Sequence, residues 1–185
     1  AYADAWAIAE AEEDDEAVLD TMLGLASVYR ASGRYKQALS TLDEAFELID
    51  ELGDDASKPH TYWIQGTTLR YAGALQEAAS ALNTGLDLPV EYQDREAEAY
   101  LQAAIGGLAR VRGDFSQTAS HYGLAYTIFS ELDDAFGLAY TACGRGNAAR
   151  MQRDFSAAEI HFQEAAGRYA EFGDKVSYAY TLWAW

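Results

Sequence analysis

The stretch Leu25-Ala26-Ser27-Val28-Tyr29-Arg30-Ala31-Ser32-Gly33-Arg34-Tyr35-Lys36-Gln37-Ala38-Leu39 decides the fold, because its pattern returns every 40 residues. Gly33, Gly73 and Gly113 hold one place in the recurring unit, and Arg153 takes the fourth. Two residues on stands an apolar or aromatic side chain: Tyr35, Leu75, Phe115, Phe155. Ala38, Ala78, Thr118 and Ala158 follow, then Ala45, Gly85, Ala125 and Ala165. Upstream, a small residue recurs as Ala26, Gly66, Gly106 and Gly146, each with an arginine four residues later: Arg30, Arg70, Arg110, Arg150. A fixed period of this length means that one supersecondary unit is stacked on copies of itself.

Working outward, four units span 15–54, 55–94, 95–134 and 135–174, with partial units at 1–14 and 175–185 in a single repeat domain, 1–185. Because the chain begins and ends inside the repeat, it reads as an excerpt of a longer solenoid. Met22, Leu25, Ala26 and Tyr29 are spaced i, i+3, i+4, i+7, which puts them on one face of a helix A. Ala38, Leu39, Leu42, Ala45, Phe46 and Ile49 repeat that pattern in a helix B. Gly33 and its equivalents suit a left-handed cap between the two. Asp54, Asp94, Asp134 and Asp174 suit N-caps of the next helix A. Small residues at 26/66/106/146 and 38/78/158 let the two helices approach closely. Pro89 lacks an N–H, so the second helix B should stop or kink near Leu88. The fold class is therefore all-α.

Composition narrows the function. The 185 residues are 50% apolar and hold 13 Lys+Arg against 30 Asp+Glu, a formal charge of -17 that disfavours nucleic acid and anionic membrane surfaces. No run approaches the roughly 20 apolar residues of a membrane span, and the N-terminus lacks the pattern of a secretory leader. One cysteine, Cys143, excludes an internal disulfide framework and a multi-thiolate metal site, and points to a reducing, cytoplasmic setting.

Paired helices with this order of small, turn-glycine, aromatic and alanine positions resemble tetratricopeptide repeats over essentially the whole chain. The residues carrying the likeness are Leu25-Ala26, Tyr29, Gly33, Tyr35, Ala38, Leu42 and Ala45, with their counterparts at steps of 40. The period departs from the family's usual 34 and is similar to the longer variant of kinesin light chain, Pins-type adaptors, and MalT-like and Rap-type regulators. The resemblance implies a right-handed superhelical solenoid of antiparallel helix pairs, with helices A lining a concave groove.

Helix geometry nominates the groove face. Asp20, Leu23, Ser27 and Arg30 lie beside the core stripe, and their counterparts are His60, Trp63, Thr67 and Arg70, then Tyr100, Ala103, Gly107 and Arg110. Tyr140, Cys143, Asn147 and Arg150 follow, with Tyr180 and Trp183 in the trailing helix. We take Arg30, Arg70, Arg110, Arg150, Trp63, Thr67, Tyr100, Tyr140, Asn147 and Tyr180 as the partner-binding candidates. Guanidinium groups bind carboxylates bidentately, so an acidic or carboxylate-bearing peptide suits an arginine row. Two readings stand: the arginines bind a ligand, or each pairs with an acid of an adjacent layer and ties the stack. The tyrosines either meet ligand or fill space between neighbouring helices A.

Other chemistries find no support in the sequence. His121 and His161 lie one period apart, and layers about 10 Å apart cannot share a metal whose ligands sit near 2 Å. Glu12-Glu13-Asp14-Asp15-Glu16 lacks the spacing of a calcium loop and reads as a solvated turn. Cys143 has no histidine placed to activate it, and Gly144-Arg145-Gly146-Asn147 lacks the lysine of a phosphate loop. With no nucleophile-base pair, no paired carboxylates and no cofactor motif, the expectation is a non-enzymatic protein–protein interaction module without cofactor or metal. The alternative is a ligand-sensing regulatory segment of a larger signalling or transcriptional protein. The trailing Thr181-Leu182-Trp183-Ala184-Trp185 lacks its own helix B, so self-association through the solenoid ends is expected.

Overall fold

The computed structural model describes residues 2–88 and 94–185, in two compact units that divide between Asp94 and Arg95. Every regular element among them is helical, and the architecture is an all-α solenoid. The first unit holds α1 (Tyr2–Ala11), α2 (Asp15–Ala31), α3 (Tyr35–Leu52), a single 3-10 turn (Asp55–Ser57), α4 (Lys58–Ala72) and α5 (Leu75–Leu86). The second holds α6 (Arg95–Arg112), α7 (Phe115–Glu131), α8 (Ala135–Met151), α9 (Phe155–Glu171) and α10 (Lys175–Ala184). Within each unit consecutive helices pack as hairpins, and alternate helices also meet: α2 touches α4, and α6 touches α8.

The turns inside each hairpin follow from backbone chemistry. Gly33, Gly73 and Gly113 have φ of +75°, +86° and +78°, the left-handed conformation that ends helix A without a Cβ clash. Arg153 adopts the same conformation at φ +66°, so the repeat keeps its turn where it loses its glycine. Capping follows the aspartates. The Asp134 carboxylate accepts from the amides of Phe136 and Gly137 at 2.9 Å, and Asp174 accepts from Val176 and Ser177 at 3.1 and 3.0 Å. Asp114 and Asp154 do the same for the B helices α7 and α9, each accepting at 3.0 Å. Asp54 departs from the expected role: its carboxylate accepts from the Ser57 hydroxyl, and the 3-10 turn delays the start of α4 to Lys58. The expected irregularity at Pro89 lies outside the described residues; α5 itself ends at Leu86.

The core of the first unit is built from Leu19, Met22, Leu23 and Ala26 of α2 against Leu42, Ala45 and Ile49 of α3 and Ile64 of α4. Leu23, expected on the groove face, is only 8% exposed and belongs to this core, whereas Leu25 and Tyr29 are half-buried. The physical reason is that α2 is covered by α1 and α4 as well as α3, which widens its buried arc beyond a one-partner stripe.

In the second unit the A helices α6 and α8 are buried on most of their faces, whereas α10 is largely exposed. α8 buries Gly137, Ala139, Thr141, Ala142, Gly144 and Ala148 at once, and aromatics from the B helices press onto its bare backbone. The Tyr122 ring lies over Gly144, and a Cβ at Gly146 would stand 2.7 Å from the Phe162 ring. Replacing either glycine with a larger residue overpacks the contact, a cost of about 1–3 kcal/mol.

Candidate functional site

In the first unit the nominated A-face residues lie on α2 and α4. The Arg30 guanidinium sits 5.2 Å over the Trp63 ring and donates to the Thr67 hydroxyl. Thr67 is buried, and its hydroxyl lies 2.8 Å from the Trp63 carbonyl, so the acceptor for Arg30 is itself fixed to the helix. Arg30 thus bridges two neighbouring A helices through an aromatic ring and a hydroxyl. Arg70 is only 8% exposed and stacks 4.6 Å over Tyr71 of its own helix. Beside this cluster the His60 ring meets Trp63 at 5.2 Å. Burial pushes the His60 imidazole below its ordinary pKa; nearby Asp94 and Asp20 oppose that shift and Arg30 adds to it. An open cleft of about 420 Å³ adjoins His60, lined by Asp20, Leu23, Ser27 and Val28 along α2 and by Tyr2 of α1.

The second unit arranges the same positions differently. Tyr100 donates its hydroxyl to Asp134 at 3.3 Å and sets its ring edge-on to Phe129 at 4.9 Å, so it fills space between helices. Desolvation, followed by the Asp134 charge, holds its phenol far above the ordinary range. Tyr140 meets Tyr122 edge-on at 6.3 Å. Asn147 is buried, donates to the Cys143 carbonyl at 3.1 Å and accepts from Arg150 at 3.2 Å, so Arg150 is held along its own helix while exposed to solvent. Arg110 is half-buried and its charge reaches the Cys143 thiol. That thiol is buried, accepts from Thr181 at 3.6 Å, and is pushed up in pKa chiefly by desolvation. Tyr180 and Trp183 of α10 pack 5.9 Å apart, with Trp183 79% exposed.

Sequence reading missed two features. Tyr2, from α1, walls the cleft of the first unit. On the B side of the second unit, Glu164 accepts from Tyr126 at 2.7 Å and pairs with Arg168 at 3.1 Å, and Arg145 stacks 4.9 Å over the Tyr126 ring. The i, i+4 spacing of Glu164 and Arg168 was the available signal for the second. Among the described residues no group of three or more His, Cys, Asp or Glu side chains could hold a metal ion, and no helix is long and apolar enough to cross a membrane.

These features define a class, the helical-hairpin repeat protein. The tetratricopeptide repeat family model matches residues 8–89 of the chain. Such repeats are in general protein–protein interaction modules and typically non-catalytic scaffolds. The crystal structure of BtubC (BKLC) from P. vanneervenii superposes with a TM-score of 0.72 at 17% identity, over 97% of this chain and 85% of that one, a likeness of fold. No curated protein matches the sequence.

Proposed function

We propose that the chain is a non-catalytic, cytoplasmic interaction module that takes a carboxylate-bearing partner segment on the A face of its second unit. The observation carrying this reading is the charge of that face. Tyr100, Ala103, Gly107, Arg110, Tyr140, Cys143, Asn147, Arg150, Tyr180 and Trp183 include two charged residues, and both are arginines. Arg110 and Arg150 offer forked donors to a carboxylate, and the exposed rings of Tyr180 and Trp183 supply apolar contact beside them. In the first unit Arg30 already has Trp63 and Thr67 as neighbours, which supports a tying role there.

The test is an Arg110→Ala/Arg150→Ala variant titrated with a fluorescein-labelled, Glu-rich peptide. Loss of a charge-assisted hydrogen bond, about 1.5–3 kcal/mol, weakens binding roughly tenfold or more per arginine, with steep salt dependence. Unchanged affinity overturns the reading. So does a fall of about 3–5 kcal/mol in stability, the signature of a strut whose buried partner has lost its charge. The exposed Val176, Leu182 and Trp183 of α10 extend the reading to contact between copies, and sedimentation that stays monomeric with rising concentration removes that extension.

A further inference from the structure

Charge is divided unevenly along the chain. Residues 1–94 hold 19 acidic against 5 basic residues, and residues 95–185 hold 11 against 8. The first unit is therefore the acidic one, and its cleft beside α2 shows what that charge can hold. Asp20 stands exposed on the cleft with no hydrogen bond or ion pair to another described residue, and an ionised carboxylate can only accept. Ser27 adds a hydroxyl two turns, about 10 Å, further along α2. The apolar lining is the Tyr2 ring of α1, seated on the bare backbone of Gly24, with Val28 of α2 beside it. The only histidine of the lining, His60, is pushed toward its neutral form by burial and so does not oppose a cation. The Arg30 guanidinium lies over Trp63 and donates to the Thr67 hydroxyl.

We propose that this cleft takes the side chain of a lysine or arginine presented by a partner peptide, its cationic head on Asp20 and its aliphatic stem along the Tyr2 ring toward Val28. The proposal rests on reading the A helices as interaction faces, and it assigns to the first unit a ligand of opposite sign to that of Arg110 and Arg150. Shape and charge agree. Long basic side chains lay an apolar stem on carbon while keeping the head polar, and the cleft offers those two surfaces side by side. Its volume falls within the range of roughly 300–1,000 Å³ common for ligand clefts.

The experiment titrates the isotope-labelled full chain with a blocked five-residue peptide bearing one central lysine, followed by amide chemical shifts. Its arginine and norleucine counterparts and free cadaverine are run in parallel. The lysine and arginine peptides are expected to shift amides along Asp20–Ala31 and at His60, with norleucine binding at least roughly tenfold more weakly. Asp20→Asn should abolish the difference between lysine and norleucine, Asp20→Glu should keep part of it, and Asp15→Asn, on the same helix outside the cleft, should leave it unchanged. Equal binding of the norleucine peptide overturns the proposal. Equal losses in Asp15→Asn and Asp20→Asn overturn it in favour of general attraction to an acidic surface, and equal affinity for cadaverine in favour of a free amine. The Arg110→Ala/Arg150→Ala variant, which should lose the Glu-rich peptide, should bind the lysine peptide as wild type does; the two readings therefore fail separately.

Discussion

The two units share a repeat frame and differ in what they do with it. In the first, formal charge is concentrated at 19 acidic to 5 basic residues, A-helix side chains are large, and Arg30 spans from α2 to Trp63 and Thr67 of α4. In the second, charge is nearly balanced, the A helices are rich in Gly and Ala, and aromatics from the B helices lean onto them. The difference teaches that the 40-residue period constrains turns and packing positions, while the sign and size of the A face are set unit by unit.

The largest expected effect tests the packing half of that contrast. Phe162 is fully buried against Gly146, so Phe162→Ala should cost about 3–5 kcal/mol in urea denaturation. A loss below about 1 kcal/mol would show that α8 does not depend on the ring. Next comes the contrast between arginines. Arg30→Ala removes a cation–π contact and a hydrogen bond from a charged donor, together about 2 kcal/mol, whereas Arg150→Ala, exposed and bonded within its own helix, should stay within about 0.5 kcal/mol. Equal melting temperatures for the two variants break the distinction between a tie and a surface group.

The smallest effect concerns helix starts. Asp174→Ala should cost about 1 kcal/mol near neutral pH by uncapping α10, and Asp54→Ala less, since Asp54 meets a serine hydroxyl instead of helix amides. Hydrogen bonds from the Ser177 hydroxyl and amide hold the Asp174 carboxyl below the usual carboxylate range. A lowered pKa in the folded state means a contribution present above the unfolded value of about 3.9 and lost as pH falls through the folded one. The difference between wild type and Asp174→Ala should therefore narrow as the solution is acidified; a difference that grows in acid contradicts the assigned cap.

Much of this was legible in the sequence because repeats make errors visible: Gly33, Gly73 and Gly113 announced the turns, and Asp134 and Asp174 the caps. Leu23 was misplaced because periodicity assumes that a helix buries one stripe, while α2 has three packing neighbours. The arginine row was legible as a pattern but not as a role, since Arg30 and Arg150 occupy equivalent positions, yet Arg30 reaches Trp63 and Thr67 on the next A helix while Arg150 donates to Asn147 on its own. The Tyr2 wall of the cleft depends on a side chain from another helix, and no spacing within α2 encodes it.

The glycines of α8 carry a consequence for how the chain assembles. Gly137, Gly144 and Gly146 each lower intrinsic helix propensity by about 1 kcal/mol relative to alanine, so this segment has little reason to coil in isolation. Its helix is stabilised by Tyr122, Phe129 and Phe162, which arrive from α7 and α9. Ordering of α8 is thus coupled to the hairpins on both sides, and it acts as a keystone rather than a nucleus. Its amides should exchange with solvent only through an opening that also releases its two neighbours, making this stretch of the solenoid one cooperative unit.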